Sequence, residues 1–505
     1  KRIGGVMSSE FLKKLKSYYS YSGVTRLHFE LKPKPSFNLN PVKSFSGNQL
    51  SGIAATQALD PRTWAFWEKI ELLEDNGKGM NQEAFLPGCK YSFFPALQQL
   101  FGTDAPSSKN FLLHFGKNWE KNSQSGKLPV LLVPGAGDHA HRSFADPSYG
   151  IPGLNKNTGL AQFLDNLGYP VFAITFPHNQ GDNFIQCEQL SNAIKRIRKL
   201  CNVNKVDLIA HSKGNIPARM YVSNIPYLYN HDIIFTNVRK VVVENGKEIE
   251  KRVNVIFPSK EWMSEFTYDV RRYIQLAAPN KGVDTVFRTF SSSAAAYLSK
   301  QAPIPFVKLF NQGQNSSMHE TLKESIYYET DDPSSNNYFP GQCQILYDLA
   351  KEDVPLRQFS LPVAEAKPAE KTGEPAKTVK EMLSVDMIQK MYYGGHSMVG
   401  DSYGIEYAIA QGGMLIQNLR KKSTSSHVEI ATITGTKSLV NVTFAGIPVP
   451  LMYEGVKGDG LLFYVSASDT EGISNSMGVY DFPVNHLEIT YDDNVMKFIH
   501  DILSH

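Results

Sequence analysis

The stretch Val206-Asp207-Leu208-Ile209-Ala210-His211-Ser212-Lys213-Gly214-Asn215, residues 206–215, decides the fold. Its first five residues form an apolar run of strand length, and a helical pattern follows from Ile216, with Pro217 in the first turn. The small residues Ala210 and Gly214, on either side of Ser212, allow a strand, a turn and a helix to pack closely. The stretch therefore predicts a sharp strand-to-helix turn that lifts Ser212 above the edge of a sheet.

The neighbouring sequence predicts that this strand belongs to a mostly parallel sheet. Apolar runs at 129–133 and 170–175 read as further strands. A helical pattern at about 160–167, and another that ends near Cys201, alternate with these strands. Such alternation is typical of an α/β fold with helices on both faces of the central sheet. Residues 273–277 and 428–433 are expected to add strands to it.

Domain boundaries follow from where this pattern starts and is interrupted. Residues 1–125 contain no motif that indicates a function and are interpreted as an N-terminal arm and accessory segment of unknown role. Residues 126–505 are interpreted as the catalytic domain that contains the sheet. An insertion at about 226–268 contains Asn245-Gly246 between two alternating runs, which predicts a hairpin. A second insertion at about 284–425 is expected to form a cap. Its apolar residues either belong to a mobile lid or pack in a second subdomain: Phe306, Val307, Leu309 and Phe310.

The bulk composition excludes some classes of protein. The 505-residue chain has a formal charge of only +3, which does not favour nucleic acid as a partner. The chain contains no run of eighteen or more apolar residues, so no transmembrane segment is predicted. Cys187 and Cys201 flank one predicted helix, which would hold them about 21 Å apart, too far for a disulfide. We therefore expect both to be core residues, and the cysteines leave the redox compartment open.

Chemistry at Ser212 requires a base and a carboxylate later in the chain. A serine hydroxyl is a poor nucleophile unless an imidazole, itself oriented by an acid, accepts its proton. His486 precedes a predicted helix and is the best candidate base, with Asp459 as the acid and Asp469 as its rival. The backbone N–H groups of Ala136 and Lys213 are the expected oxyanion donors, because they follow the first strand and the serine.

Several motifs resemble those of microbial lipases with the α/β-hydrolase fold. Residues 210–214 resemble the elbow in which alanine replaces the first glycine, and 276–282 resemble the strand-end motif that follows it. The loop 134–138 resembles the oxyanion loop, and also that of an extracellular polyhydroxyalkanoate depolymerase. Asn485-His486-Leu487 and Asp459-Gly460-Leu461 resemble the base and acid loops of bacterial lipases. The resemblance covers roughly 128–225, 270–284 and 427–505.

The resemblance implies a serine carboxylic-ester hydrolase, either a triacylglycerol lipase or a carboxylesterase acting on acylglycerol-like esters. One alternative is a polyester depolymerase, and another is a binding module that keeps the fold without catalysis. The expected partner is a small-molecule, lipid or polyester substrate. A transient contact with a lipid–water interface is a further expectation. A secreted or periplasmic location is favoured, and no cofactor is expected.

Other polar clusters are weaker candidates. Ser397, in Gly395-His396-Ser397, lacks a small residue two positions later and does not follow a buried strand. Asp138, His139 and His141 offer too few ligands for a convincing metal site. Lipases that this chain resembles can bind calcium just after the base, where this sequence has Glu488 and then Asp492 and Asp493. The latter pair is equally well explained as carboxylates at a helix N-terminus. We therefore predict no metal.

Overall fold

A computed structural model gives the fold of this chain. It describes residues 24–26, 41–56, 59–75, 83, 85, 90–91, 94–149, 154–225, 233–257, 264–284, 340–352, 354–356, 389–390, 392–397, 400–438, 443–444, 447–448 and 456–505. Two predictions lie outside these ranges. They concern the apolar residues Phe306, Val307, Leu309 and Phe310 of the expected cap, and the part of the N-terminal arm before residue 24.

The strands lie as follows: β1 Val24–Arg26, β2 Pro41–Ser46, β3 Trp67–Glu74, β4 Asn110–Gly116, β5 Val130–Val133, β6 Val171–Thr175, β7 Val206–His211, β8 Ile233–Glu244, β9 Lys247–Phe257, β10 Val270–Leu276, β11 Gly395–Ser397, β12 Gly400–Ser402, β13 Glu429–Gly435, β14 Thr443–Phe444, β15 Ile447–Pro448 and β16 Ser476–Phe482.

The α-helices are α1 Asn48–Thr56, α2 Pro61–Trp64, α3 Pro95–Phe101, α4 Trp119–Asn122, α5 Leu160–Asn166, α6 Asn183–Cys201, α7 Asn215–Val222, α8 Pro340–Gln344, α9 Ile405–Gln411, α10 Leu415–Lys421, α11 Tyr464–Ala467 and α12 Asp493–Ser504. A π-helical turn covers His141–Ala145, and 3₁₀ turns cover Ser212–Gly214 and Glu488–Thr490. Among the described helices, none is both long and apolar enough to cross a membrane.

Nine strands form one central sheet in the order β16-β13-β10-β7-β5-β6-β4-β3-β2. The six strands from β16 to β6 run parallel to one another, as the alternation of strands and helices predicts. From β6 to β2, each strand is antiparallel to its neighbour. The carboxyl ends of the parallel strands therefore meet at one edge, where β7 runs into Ser212.

Helices cover both faces of this sheet. Alternate residues of β5 point to opposite sides, so Leu131 and Val133 belong to one hydrophobic core, while Val130 and Leu132 belong to the other. The first core includes residues of α6, α7 and α10, and the second includes residues of α1, α3, α5 and α12. A parallel sheet buried on both faces is the expected outcome of this packing. Cys187 and Cys201 are unpaired and buried, as predicted.

The N-terminal part of the chain corrects the predicted boundary at residue 125. Strands β2, β3 and β4 extend the central sheet, so residues 41–116 are not a separate accessory segment. The pattern was hidden because charged residues lie inside this region. Glu71 on β3 is buried and accepts hydrogen bonds from both Nε and Nη2 of Arg196 on α6, each at 3.0 Å.

The first insertion forms the hairpin that Asn245-Gly246 predicts. Strands β8 and β9 pair antiparallel, and both turn residues have positive φ angles, 52° for Asn245 and 72° for Gly246. β1 adds a third strand on the other side of β8. Helix α9, from the second insertion, packs against this hairpin. The described parts of both insertions therefore lie together.

Candidate active site

Ser212 lies at the turn between β7 and α7. Its φ angle is +51°, in the left-handed region that costs a non-glycine residue strain. The 3₁₀ turn Ser212–Gly214 leads directly into the helix. The side chain of Ser212 remains partly exposed, whereas Ala210 and Lys213 are buried. This is the sharp strand-to-helix turn that the sequence predicts.

The glycine-rich loop after β5 packs directly against this turn. A Cβ atom added to Gly135 would lie 2.9 Å from Cβ of Ser212. One added to Gly214 would lie 2.3 Å from the carbonyl oxygen of Pro134. Only glycine therefore allows these two backbone segments to approach each other so closely. Ala136, which follows Gly135 and is partly exposed, lies on the loop beside Ser212.

The structure brings Ser212, His486 and Asp459 into one hydrogen-bonded chain. Oγ of Ser212 lies 2.8 Å from Nε2 of His486, and Nδ1 of His486 lies 2.7 Å from Oδ2 of Asp459. Because a carboxylate only accepts hydrogen bonds, Nδ1 carries the proton and donates it, which leaves Nε2 free to accept the serine proton. Asp459 and His486 are both buried, at 1% and 3% exposure.

Backbone contacts fix the acid and the base relative to each other. Oδ1 of Asp459 accepts hydrogen bonds from the backbone N–H groups of Leu461, at 3.0 Å, and Leu462, at 2.8 Å. The backbone N–H of His486 donates to the carbonyl oxygen of Asp459 at 2.8 Å. The rival acid Asp469 instead accepts from Nε of Arg420 at 3.0 Å. Ser397 lies in the short hairpin β11–β12 rather than at a strand-to-helix turn.

His211, next to the serine, was missed by sequence reasoning. Its Nε2 lies 2.8 Å from the carbonyl oxygen of His486, so this nitrogen carries the proton and donates it. Burial, reinforced by the neighbouring His486, lowers the pKa of His211 to about 3, so its ring is neutral. It joins the base loop to the end of β7. Its position beside Ser212 is the only signal that the sequence offered.

The Lys213 side chain is a second feature that the sequence did not predict. Its Nζ is buried and donates to the carbonyl oxygen of Gly181 at 2.9 Å and to Oε1 of Gln186 at 2.6 Å. Burial lowers the pKa of Lys213 to about 7, against the opposing effect of the negative charges of Glu83 and Asp182. The ammonium group therefore points away from Ser212, toward the loop after β6.

The Asp138, His139 and His141 cluster has protein partners. Asp138 accepts from Nε of Arg142 at 2.6 Å, and although burial opposes it, this guanidinium holds the pKa of Asp138 below its usual value. Nδ1 of His141 accepts from Nε1 of Trp67 at 3.1 Å. Burial lowers the pKa of His139 to about 4. These contacts support a structural role for the cluster.

The carboxylates after His486 are also occupied. Glu488 pairs with Lys437 at 2.7 Å and also accepts from the backbone N–H of Asn485 at 3.0 Å. Asp492 caps α12, and Asp493 pairs with Lys156 at 2.7 Å. Within the described ranges, no group of three or more His, Cys, Asp or Glu side chains is arranged to hold a metal ion.

Together, the mostly parallel sheet and the strained serine at the end of a central strand define the α/β-hydrolase fold. Solved structures of several hydrolases are similar to this chain. The mature lipase BlEst2 of Bacillus licheniformis is 12% identical over 75% of this chain and 92% of its own, with a TM-score of 0.33. Lipase B of Aspergillus fumigatus is 14% identical over 86% of this chain and 64% of its own, with a TM-score of 0.33.

EstA of Clostridium botulinum is 12% identical over 75% of this chain and 87% of its own, again with a TM-score of 0.33. No protein-family model matches the chain. No curated protein matches its sequence either. Because these TM-scores and identities are low, the strand order and the turn at Ser212 define the fold.

Proposed function

We propose that this protein is a serine carboxylic-ester hydrolase of the lipase and carboxylesterase type. The observation that carries the proposal is the unbroken chain of hydrogen bonds from Ser212 through His486 to Asp459, with heavy-atom distances of 2.8 and 2.7 Å. These three side chains have the roles of nucleophile, base and orienting acid. A buried carboxylate that holds an imidazole in one tautomer is what such chemistry requires.

In the proposed mechanism, Oγ of Ser212 attacks the ester carbonyl carbon while His486 accepts the hydroxyl proton. The resulting oxyanion accepts hydrogen bonds from the backbone N–H groups of Ala136 and Lys213. His486 then donates its proton to the leaving alcohol, and an acyl group remains on Ser212. Water, deprotonated by His486, attacks this acyl-enzyme, and the imidazolium then returns the proton to Oγ of Ser212 as the bond to the acyl group breaks and the carboxylic acid is released. Asp459 stabilises the imidazolium at each step.

The decisive experiment combines hydrolysis and covalent labelling. We expect the wild-type protein to hydrolyse at least one member of a p-nitrophenyl ester series and to react with a fluorophosphonate probe at one residue. Ser212→Ala should abolish both, with unchanged circular dichroism. Ser397→Ala serves as the matched control and should leave both intact. Absence of labelling in the folded wild-type protein would instead favour a non-catalytic binding module.

The same proteins address the substrate class. Clearing of a poly(3-hydroxybutyrate) suspension, compared with clearing of a tributyrin emulsion, distinguishes a polyester depolymerase from an acylglycerol hydrolase. Activity on tributyrin alone supports the lipase or carboxylesterase assignment. Activity on the polymer alone would replace it while leaving the chemistry at Ser212 unchanged.

A further inference from the structure

The buried side chain of Lys213 links three segments around the candidate active site. Its backbone N–H is one expected oxyanion donor, but its Nζ extends away and donates to Gly181 and Gln186. Gln186 in turn donates from Nε2 to the carbonyl oxygen of His178 at 2.8 Å. Lys213 and Gln186 therefore hold both ends of the loop 178–181, which follows β6.

This loop also contacts the other expected oxyanion donor. The backbone N–H of Gly137 donates to the carbonyl oxygen of Asn179 at 3.3 Å. Gly137 directly follows Ala136, and its φ angle of +67° places it in a turn. A shift of the loop 178–181 would therefore move the segment that carries the Ala136 N–H.

A described segment of the second insertion closes over the lysine. The backbone N–H of Gly341 on α8 donates to the carbonyl oxygen of Gln180 at 3.2 Å. A Cβ atom added to Gly341 would lie 2.4 Å from Cε of Lys213 and 2.1 Å from the carbonyl oxygen of Gly181. The lysine is therefore enclosed between the loop and the cap insertion, with no room for a further methyl group.

An apolar side chain of similar length would fill this space without the desolvation that a buried ammonium requires. A hydrophobic residue could not, however, donate to the Gly181 carbonyl and the Gln186 side chain. We propose that the Lys213 side chain is a positioning residue that fixes both oxyanion donors, its own N–H directly and the Ala136 N–H through the loop 178–181. This inference rests on the proposed ester hydrolase function.

The test compares Lys213→Met with a matched control, Lys195→Met. Lys195 lies on α6 about 13 Å along the helix from Gln186, and its Nζ donates to Oγ of Ser264 at 2.9 Å. We expect Lys213→Met to lower kcat roughly 10- to 100-fold with KM changed by less than about threefold, because misplaced donors weaken transition-state binding selectively. Affinity for an alkyl boronic acid, whose adduct places an oxygen between these donors, should fall in parallel.

Rates are normalised to the number of sites that a fluorophosphonate titrates at saturation, so that unfolded protein does not count. Lys195→Met should match wild type in kcat and in boronate affinity. Gly341→Ala provides a second variant if Lys213→Met does not fold, since its methyl group would clash with Cε of Lys213 and with the Gly181 carbonyl oxygen that the lysine holds. It should lower kcat and boronate affinity in the same direction.

The outcomes distinguish this inference from the function on which it rests. A wild-type protein that neither hydrolyses esters nor reacts with the probe overturns both. A wild-type enzyme whose Lys213→Met variant, per titrated site, keeps kcat and boronate affinity within twofold overturns only the positioning role. A rise in KM with unchanged kcat would also overturn it, because ground-state binding would then be the only property affected.

Discussion

Both carboxylate oxygens of Asp459 accept hydrogen bonds. Oδ1 accepts from two backbone N–H groups, and Oδ2 accepts from Nδ1 of His486 at 2.7 Å. An amide at this position would keep its oxygen on the backbone donors and turn its NH₂ group toward the imidazole. The imidazole would then carry its proton on Nε2, facing Ser212, and could no longer act as a base.

We therefore predict that Asp459→Asn lowers kcat for ester hydrolysis by about 10⁴-fold, the size of effect that a wrong tautomer has in other triads. Initial rates on a p-nitrophenyl ester, per folded molecule, provide the measurement. Asp469→Asn is the matched control, because Asp469 binds Arg420 instead, and it should retain near wild-type kcat. A loss below tenfold in Asp459→Asn would exclude the proposed orienting role.

The sequence was informative about the candidate triad for a specific reason. In this fold the serine, the acid and the base follow one another in a fixed chain order, so few residues qualify for each role. No such rule of chain order points to the side chains of Lys213 and His211. Their contacts with Gly181, Gln186 and His486 depend on loops distant in sequence, whose paths only the folded sheet determines.

Among the elements, the β5 loop and the Ser212 turn approach each other very closely. Gly214 has an ordinary φ angle of −57°, so alanine would not strain its backbone. The obstacle is the carbonyl oxygen of Pro134, only 2.3 Å from the position of an added Cβ atom. This atom belongs to the backbone of a buried segment and cannot rotate away as a side chain would.

We predict that Gly214→Ala lowers the free energy of unfolding by about 1–3 kcal/mol, as overpacking typically does, and that it also lowers kcat. Urea unfolding monitored by fluorescence, together with ester hydrolysis, tests both. Gly52→Ala on the exposed face of α1 is the control, since nothing lies within 4 Å of an added Cβ atom. It should be neutral or stabilising by up to about 1 kcal/mol. Equal stability of the two variants would contradict this description of the turn.

Element prediction succeeded where apolar runs were continuous and failed where charges were buried. The run at 129–133 and the run at 206–210 correspond to β5 and β7, because strands buried on both faces contain few polar residues. β3 reads Trp-Glu-Lys-Ile-Glu-Leu-Leu-Glu, and its alternation is hidden by Glu71. Arg196 and Lys69 both pair with that buried glutamate, and the backbone of the segment pairs with β2 and β4.

At the scale of the whole molecule, four of the described histidines are buried and neutral. Burial lowers the pKa of His114 to about 3, that of His139 to about 4 and that of His211 to about 3, and it lowers the pKa of His141 well below its usual value. In the unfolded chain each would titrate near 6.5. Between about pH 6.5 and 4, the unfolded chain therefore binds protons that the folded protein excludes.

Because the unfolded state binds more protons in this window, the free energy of unfolding must fall as the pH is lowered through it. Each such histidine contributes a slope of up to ~1.4 kcal/mol per pH unit. We predict that His114→Gln, which can still hydrogen bond Oγ1 of Thr175, makes the free energy of unfolding depend less steeply on pH. The difference from wild type should correspond to about one proton fewer taken up on unfolding, measured by urea unfolding at several pH values from 7 to 4.5. His427→Gln, at an exposed ring, should leave the slope unchanged. Parallel curves for wild type and His114→Gln would mean that His114 is protonated equally in both states, contrary to its burial beside Trp67.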